Sequence, residues 1–409
     1  MSARPISRRT AVKLTGAGGA GLLLGGRSAV AAAAGRAVPE GPATEDRETA
    51  RSAGPHQAGI TTAPQRHLAL AAFDLSAGSV GDVVELLRTW QAAIALLTSG
   101  QPLSDDTPLA LPPIDTGEAA GQGPASLTVT IGFGPSMFDD RFGLRAKRPP
   151  ALVNLPDFAH DQLDPARSGG DLSVQACANT RTVAEHAIRD LARVGRNAAQ
   201  IRWLQWGFSE PPAGGGTPRN LLGFKDGTSN LDAADDGRMR RNVWAAASDG
   251  AAWMAGGTYQ VYRRVRIQVR AWDATALSEQ HLVIGRVKRS GAPFGGVREF
   301  DTVAPSELPP TSHVRLANPR TGQGSEDERI LRRGYNYHDG YDLDGGDFDA
   351  GVVFIAYQRD PRRQFIPIQR RLDALDALNE YATHTASAVF AIPPVTTSAG
   401  VLGSGLFAD

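Results

Sequence analysis

Three short segments carry side chains suited to proton transfer, metal ligation and the holding of negative charge. The first, Gly223-Phe224-Lys225-Asp226-Gly227-Thr228-Ser229-Asn230, sets an acid on a glycine-flanked loop. The second, Ser312-His313-Val314-Arg315-Leu316-Ala317-Asn318-Pro319-Arg320, presents an imidazole in a rigid, extended-looking stretch between Pro309-Pro310 and Asn318-Pro319. The third, Leu331-Arg332-Arg333-Gly334-Tyr335, adds paired guanidinium groups. Each has a plainer reading. Asp-Gly is a common turn dipeptide because both positions tolerate positive φ. A lone histidine is more often a satisfied structural side chain than a ligand.

Other chemistries are poorly supplied. The eight histidines, at 56, 67, 160, 186, 281, 313, 338 and 384, include no pair three or four residues apart, so helical zinc-protease motifs are absent. His67 and His186 fall in a strand and a helix and read as structural. There is no GxSxG nucleophile elbow and no phosphate-binding Walker loop. The single cysteine, Cys177, lies in an apolar run. It excludes an internal disulfide, a CxxC pair and CxxCH haem attachment, and it reads as a small core residue. With 43 basic and 43 acidic residues the formal net charge is zero, which gives no general case for nucleic acid as a partner. Nearly all the basic residues are arginine, a bias we attribute to GC-rich coding.

Elements that must position these segments follow from periodicity. His67 to Leu75 reads as a strand. Ser79 caps a helix whose apolar residues Val80, Val83, Val84, Leu87, Trp90, Ile94 and Leu97 recur at helical spacing up to Gly100. Strands are expected over Ser126–Phe133, Leu172–Ala178 and Gln200–Phe208, with a helix from Thr180 to Val194 closed by Gly195. The order β-α-β-β-α-β is the ferredoxin-like plan. A second copy is arguable: a long strand Thr258–Trp272, a helix Leu277–Lys288, a strand Gly351–Tyr357, a helix Phe365–Ala382 and a strand Ala386–Ile392. The fold class expected is therefore α+β, with two ferredoxin-like domains of antiparallel sheet, at 66–235 and 236–409.

Residues 1–35 read as an address. Arg8-Arg9 opens a charged stretch, a weakly apolar run follows from Leu14 to Gly26, and small residues fill Ala29 to Ala34. This is the order of a cleavable signal of twin-arginine type, although Thr, Ala and Val follow the pair where a bulky apolar residue is usual. The run is too short to span a bilayer, so no integral membrane segment is expected after signal removal. Its GxGxxG match lacks a preceding strand and is discarded. Residues 36–65, rich in Pro, Gly and Ala, read as a linker. Twin-arginine export moves folded chains, often with a cofactor in place. The expected location is periplasmic or extracellular, with the export machinery as a partner; assembly into a homo-oligomer is left open.

GFKDGTSN, SHVRLANPR and LRRGY, in this order and separation, resemble the dye-decolourising peroxidase family, and most of all its exported deferrochelatase/peroxidase branch. The resemblance covers roughly residues 60–405. It implies two ferredoxin-like domains and one non-covalent haem b per chain, bound between them and ligated from the C-terminal domain. It implies that Asp226 is the distal acid, Arg332 the distal arginine and His313 the proximal iron ligand. Gly227, Thr228 and Ser229, with Asn318, Pro319 and Arg320, match haem-contacting positions. The implied reaction uses hydrogen peroxide to oxidise dyes, phenols and similar one-electron donors, small or bulky, through a ferryl porphyrin radical. Asp226 would move the peroxide proton and Arg332 would hold the developing negative charge. Arg320 suits a haem propionate. Asp349 is the expected carboxylate partner of His313. Lys225 and Arg333 are read as solvated or propionate-side charges. The tryptophans at 90, 203, 206, 244, 253 and 272 read mostly as core, and one or two of them, with Tyr335 or Tyr337, as electron relays from bulky donors at the surface. An unperturbed carboxylate titrates near 3.9, so an aspartate base favours turnover in acid, at about pH 4 to 5. Two other functions use the same pocket: a haem-handling deferrochelatase that releases iron, and a non-catalytic haem-binding module.

Overall fold

The computed structural model describes residues 55–104, 107–321, 325–395 and 400–408. The expected signal peptide and the linker up to residue 54 lie outside the described residues. The strands are β1 (His67–Leu75), β2 (Thr128–Phe133), β3 (Leu172–Ala178), β4 (Ala199–Phe208), β5 (Thr258–Ile267), β6 (Leu331–Arg332), β7 (Tyr335–Asp342), β8 (Asp347–Gln358) and β9 (Ala382–Ile392). The α-helices are α1 (Val80–Thr98), α2 (Arg181–Val194), α3 (Asp236–Asn242), α4 (Val269–Ala274), α5 (Leu277–Ile284), α6 (His313–Ala317), α7 (Phe365–Leu375) and α8 (Ser404–Phe407).

In the first half the order across the sheet is β4-β1-β3-β2, all antiparallel. Helices α1 and α2 cover one face. Ser79 caps α1 by accepting from the Asp82 amide at 3.2 Å, and Val83, Leu86, Leu87, Trp90, Ala93 and Leu97 form its buried stripe. Such 3–4 spacing is what an amphipathic helix needs to bury one side. The second half repeats the plan with order β7-β8-β5-β9. The two sheets meet edge to edge, through the single pairs Phe133↔Ala391 and Phe208↔Asn336. With β5 paired to both β8 and β9, the eight long strands close into a ring, and β6 pairs with β8 on the edge that β7 also uses. Inward-facing residues of both halves, among them Leu70, Trp203, Tyr262, Ile355 and Phe390, share one core.

Several expected elements are shorter or differ in kind. The strand from Thr258 stops at Ile267, and Trp272 lies in α4 with its indole donating to the Leu222 carbonyl at 3.0 Å. The helix from Phe365 ends at Leu375 because Asp376 turns extended (φ −70°, ψ 119°) and caps the next turn, accepting from the Leu378 amide at 2.9 Å. The helix from Leu277 ends at Ile284, where Gly285 takes φ 90°. His313 opens helix α6 instead of an extended segment, because the Ser312 carbonyl accepts from the Arg315 and Leu316 amides, both at 3.1 Å. Residues 55–65, read as the end of the linker, pack into the fold. Gln57 is buried and donates to the carbonyls of Ile131 and Pro393, and Gln65 donates to the Ser126 carbonyl. No helix of the described residues is long and apolar enough to cross a membrane.

Candidate functional site

A cavity of about 260 Å³ opens on the face of the second sheet that is turned away from the shared core. Along β8 the residues alternate: Val353, Ile355 and Tyr357 point into the core, whereas Val352 and Phe354 line the cavity. Its other walls are the Asp226 loop, α6, α7 and β6, with Ile284, Phe365 and Leu372 supplying apolar surface.

The three segments singled out in the sequence meet here. Asp226 sits between a two-residue bridge (Arg219↔Lys225) and a turn in which Gly227 takes φ 121°, a conformation that favours glycine. Its Oδ1 accepts from Arg332 Nη1 at 2.7 Å. Arg332 is fixed by β6 on β8, opposite Ala356. Asn230 locks it further, donating to the Arg332 carbonyl at 2.7 Å and accepting from its amide at 2.8 Å. Both charged side chains keep close to 30% of their surface open (30% for Arg332, 28% for Asp226), and both line the cavity. Asn230, which ends the first motif, was not singled out from sequence as a positioning residue.

His313 lines the same cavity, and its Nδ1 lies 2.7 Å from Asp376 Oδ2. Asp376, not Asp349, is therefore the carboxylate partner. Asp349 instead accepts from Arg264 at 2.7 Å. Burial pushes the His313 imidazole down, but the Asp376 carboxylate outweighs it and the net direction is upward. Nε2 has no hydrogen-bond partner among the described residues, and 37% of the side chain is open to the cavity. Thr311 and Ala377 are joined by a backbone hydrogen bond of 3.0 Å, which ties the segment before α6 to the segment after α7.

Arg286, Arg320 and Arg329 also line the cavity. Desolvation, then the nearby Arg286 and Arg329, push Arg320 down to about 10. Arg320 is bonded only to carbonyls and the Ser229 hydroxyl among the described residues, so the cluster presents excess positive charge. Gly227, Thr228, Ser229, Asn318 and Pro319 line the cavity too. Lys225 lines the cavity, whereas Arg333 departs from the solvated or propionate-side reading. Lys225 pairs with Glu299, which also accepts from Thr217 and Thr228. Arg333 is buried and donates to the Thr62 carbonyl and to Gln65, so it pins the incoming chain to the fold. Tyr335 and Tyr337 are buried, at 2% and 1% exposed.

An acid paired with an arginine, a carboxylate-backed histidine and an apolar slot rimmed with guanidinium groups define a peroxidase-type site on a double ferredoxin-like fold. The chain belongs to the Dyp-type peroxidase family: the family's N-terminal model matches residues 57–209 and its C-terminal model residues 217–397. It is an oxidoreductase acting on hydrogen peroxide. The protein called deferrochelatase in Escherichia coli (strain K12) is 38% identical over 415 residues, covering 98% of this chain and 96% of that protein. Ferric DtpA from Streptomyces lividans superposes with a TM-score of 0.82 at 38% identity, covering 89% of this chain and 98% of that one. A DyP-type peroxidase from Streptomyces coelicolor gives 0.81 at 39% identity, with the same coverage of 89% and 98%.

Proposed function

We propose that the cavity holds one non-covalent haem b per chain and that the protein uses it to reduce hydrogen peroxide at the expense of dyes, phenols or similar donors. The observation that carries this reading is His313, backed by Asp376 and presenting a free Nε2 to an apolar cavity that also contains the Asp226–Arg332 pair. The residues fit the group: an imidazole for iron, apolar walls for the porphyrin, and the Arg286, Arg320 and Arg329 cluster for its propionates. Gly227, Thr228, Ser229, Asn318 and Pro319 complete the slot. When bound, the haem supplies a redox-active iron at which the O–O bond is broken.

The chain's own residues do the rest. Asp376 accepts from His313 Nδ1, fixes the ring and makes the ligand more electron-rich. Asp226 takes the proton from one peroxide oxygen and returns it to the other, directly or through water. Arg332 orients that carboxylate and holds the negative charge that develops on the departing oxygen. The two assignments are tested separately. His313→Ala should lose haem and the histidine-ligated spectrum; full retention with an unchanged spectrum would overturn the ligand. Asp226→Asn and Arg332→Leu should keep haem and react with peroxide about 100-fold or more slowly in stopped flow. Parent rates in both variants would remove them from the mechanism.

The relatives' name favours iron release as a second reading for the same cavity. Iron-free porphyrin recovered under conditions where dye turnover is absent would establish it. We further infer that residues 1–35 are a twin-arginine signal and that the protein is exported; normal export after replacing Arg8 and Arg9 by Lys would refute this. The two halves are best divided at 210–216, because the Asp226 loop serves the second half's cavity.

A further inference from the structure

A second constellation lies outside the cavity, where the loop between α1 and β2 crosses α2. His186 and Asp190 are four residues apart on α2 and share one face. Asp115 comes from the loop. One donor atom from each of the three lies within 4.8 Å of the other two. His186 Nε2 is 3.5 Å from Asp115 Oδ2 and 3.3 Å from Asp190 Oδ2. Those separations are long for hydrogen bonds from an imidazole, which fall at roughly 2.7–3.2 Å. They lie close to the edge, about 3.3–3.4 Å, of a tetrahedron whose centre is about 2.0–2.1 Å from each corner, as for nitrogen and carboxylate ligands around zinc.

The surroundings are built to the same pattern. His186 Nδ1 faces Thr116 Oγ1 at 3.2 Å and Glu118 Oε2 at 3.4 Å. Thr116 Oγ1, within hydrogen-bond reach, is the acceptor that favours the Nδ1–H tautomer and leaves the Nε2 lone pair for a metal. Asp190 is fully buried, and its Oδ2, aimed at Nε2, has no hydrogen-bond partner. Its Oδ1 is held by the Thr116 amide at 3.0 Å. Asp115 is fixed by the Gly117 amide at 2.7 Å and the Leu103 amide at 2.9 Å. A buried carboxylate oxygen with no donor is costly unless a cation faces it.

We propose that Asp115, His186 and Asp190 bind one first-row divalent cation of the zinc class, which clamps the Asp115 loop onto α2. Two carboxylates and a neutral imidazole balance its charge. The nitrogen ligand disfavours calcium and magnesium, which prefer all-oxygen sites. Water completes the coordination. None of the three residues lines the cavity that holds Asp226 and His313, so the cation has a structural role.

The test uses the haem-loaded full chain, dialysed against a chelator and titrated with zinc chloride by calorimetry. Zinc and iron are counted by elemental analysis in the same samples. The expected result is one zinc per chain at submicromolar Kd, a raised Tm and unchanged iron and Soret absorption. Asp190→Asn and Asp115→Asn should weaken zinc binding about 100-fold or more and abolish the Tm response. Asp115 stands on a loop, so its variant keeps the test valid if the Asp190 variant fails to fold. No uptake above background, uptake that both variants retain, or zinc that displaces iron would each overturn the proposal.

Discussion

At the scale of single residues, His313 and Asp376 form the pair on which the proposed iron ligation rests. Asp376 ends α7, caps the following turn with one oxygen and meets His313 with the other. Replacing it by Asn keeps the size and the cap but removes the charge. Asp376→Asn should leave haem bound, shift the ferric spectrum towards a weaker proximal ligand and lower peroxide turnover about 10- to 100-fold. Unchanged spectrum and turnover would make the contact incidental. Sequence reading found His313 but named Asp349 as its partner, because Asp349 precedes a buried strand. Asp376 was hidden in what read as the middle of a helix running from Phe365 to Ala382. The mechanism of the break is local: the Asp376 carboxylate takes the Leu378 amide two residues on, which competes with helix continuation.

At the scale of elements, the helix-covered faces of the two halves differ. In the first, α1 and α2 lie directly on the sheet. Trp90 is fully buried, packs edge-on against Phe73 at 5.1 Å and donates to the Leu191 carbonyl of α2 at 2.9 Å. Trp90→Ala should cost about 3–5 kcal/mol, read as a lower denaturant midpoint. In the second half the helices stand off and the cavity takes their place, so the Asp226 loop needs its own fastening. Glu299 provides it, joining Thr217, Lys225 and Thr228 across the loop. Burial raises the Glu299 carboxyl, but the hydrogen bonds from Lys225, Thr217 and Thr228 outweigh it and hold it below the ordinary value of 4.5. A depressed carboxyl stabilises fully above its unfolded value and loses that contribution as pH falls through the folded one. The Tm difference between the parent and Glu299→Gln should therefore be constant above pH 4.5 and shrink below it. A difference that ignores pH would assign the effect to packing. The first half was readable almost strand by strand because its elements are strongly periodic. The polar run Tyr335-Asn336-Tyr337-His338-Asp339-Gly340 hid β7, and β6, only two residues long, is held by its pairing to β8 and not by any local pattern.

At the scale of the whole molecule, the ring of strands leaves neither four-stranded sheet with both edges free. Each half closes the other at one pair per seam, and the inward faces share their core. Open strand edges invite pairing with other chains; here the four outer strands pair off, β2 with β9 and β4 with β7. Residues 210–216, which connect the halves, are exposed and include three consecutive glycines, Gly214 to Gly216.

That connection has a consequence for how the chain can be cut. Interrupted at Gly215, it yields two pieces, each with two open strand edges and half of an apolar interior, and each should therefore be insoluble by itself. Produced together, they should find each other and restore a haem-binding particle, as two halves of a zip do, with peroxide turnover returning only when both are present. A first piece that is soluble and monomeric alone would mean that the seams contribute little. Reassembly would make this fold a reporter for any two partners fused to its halves.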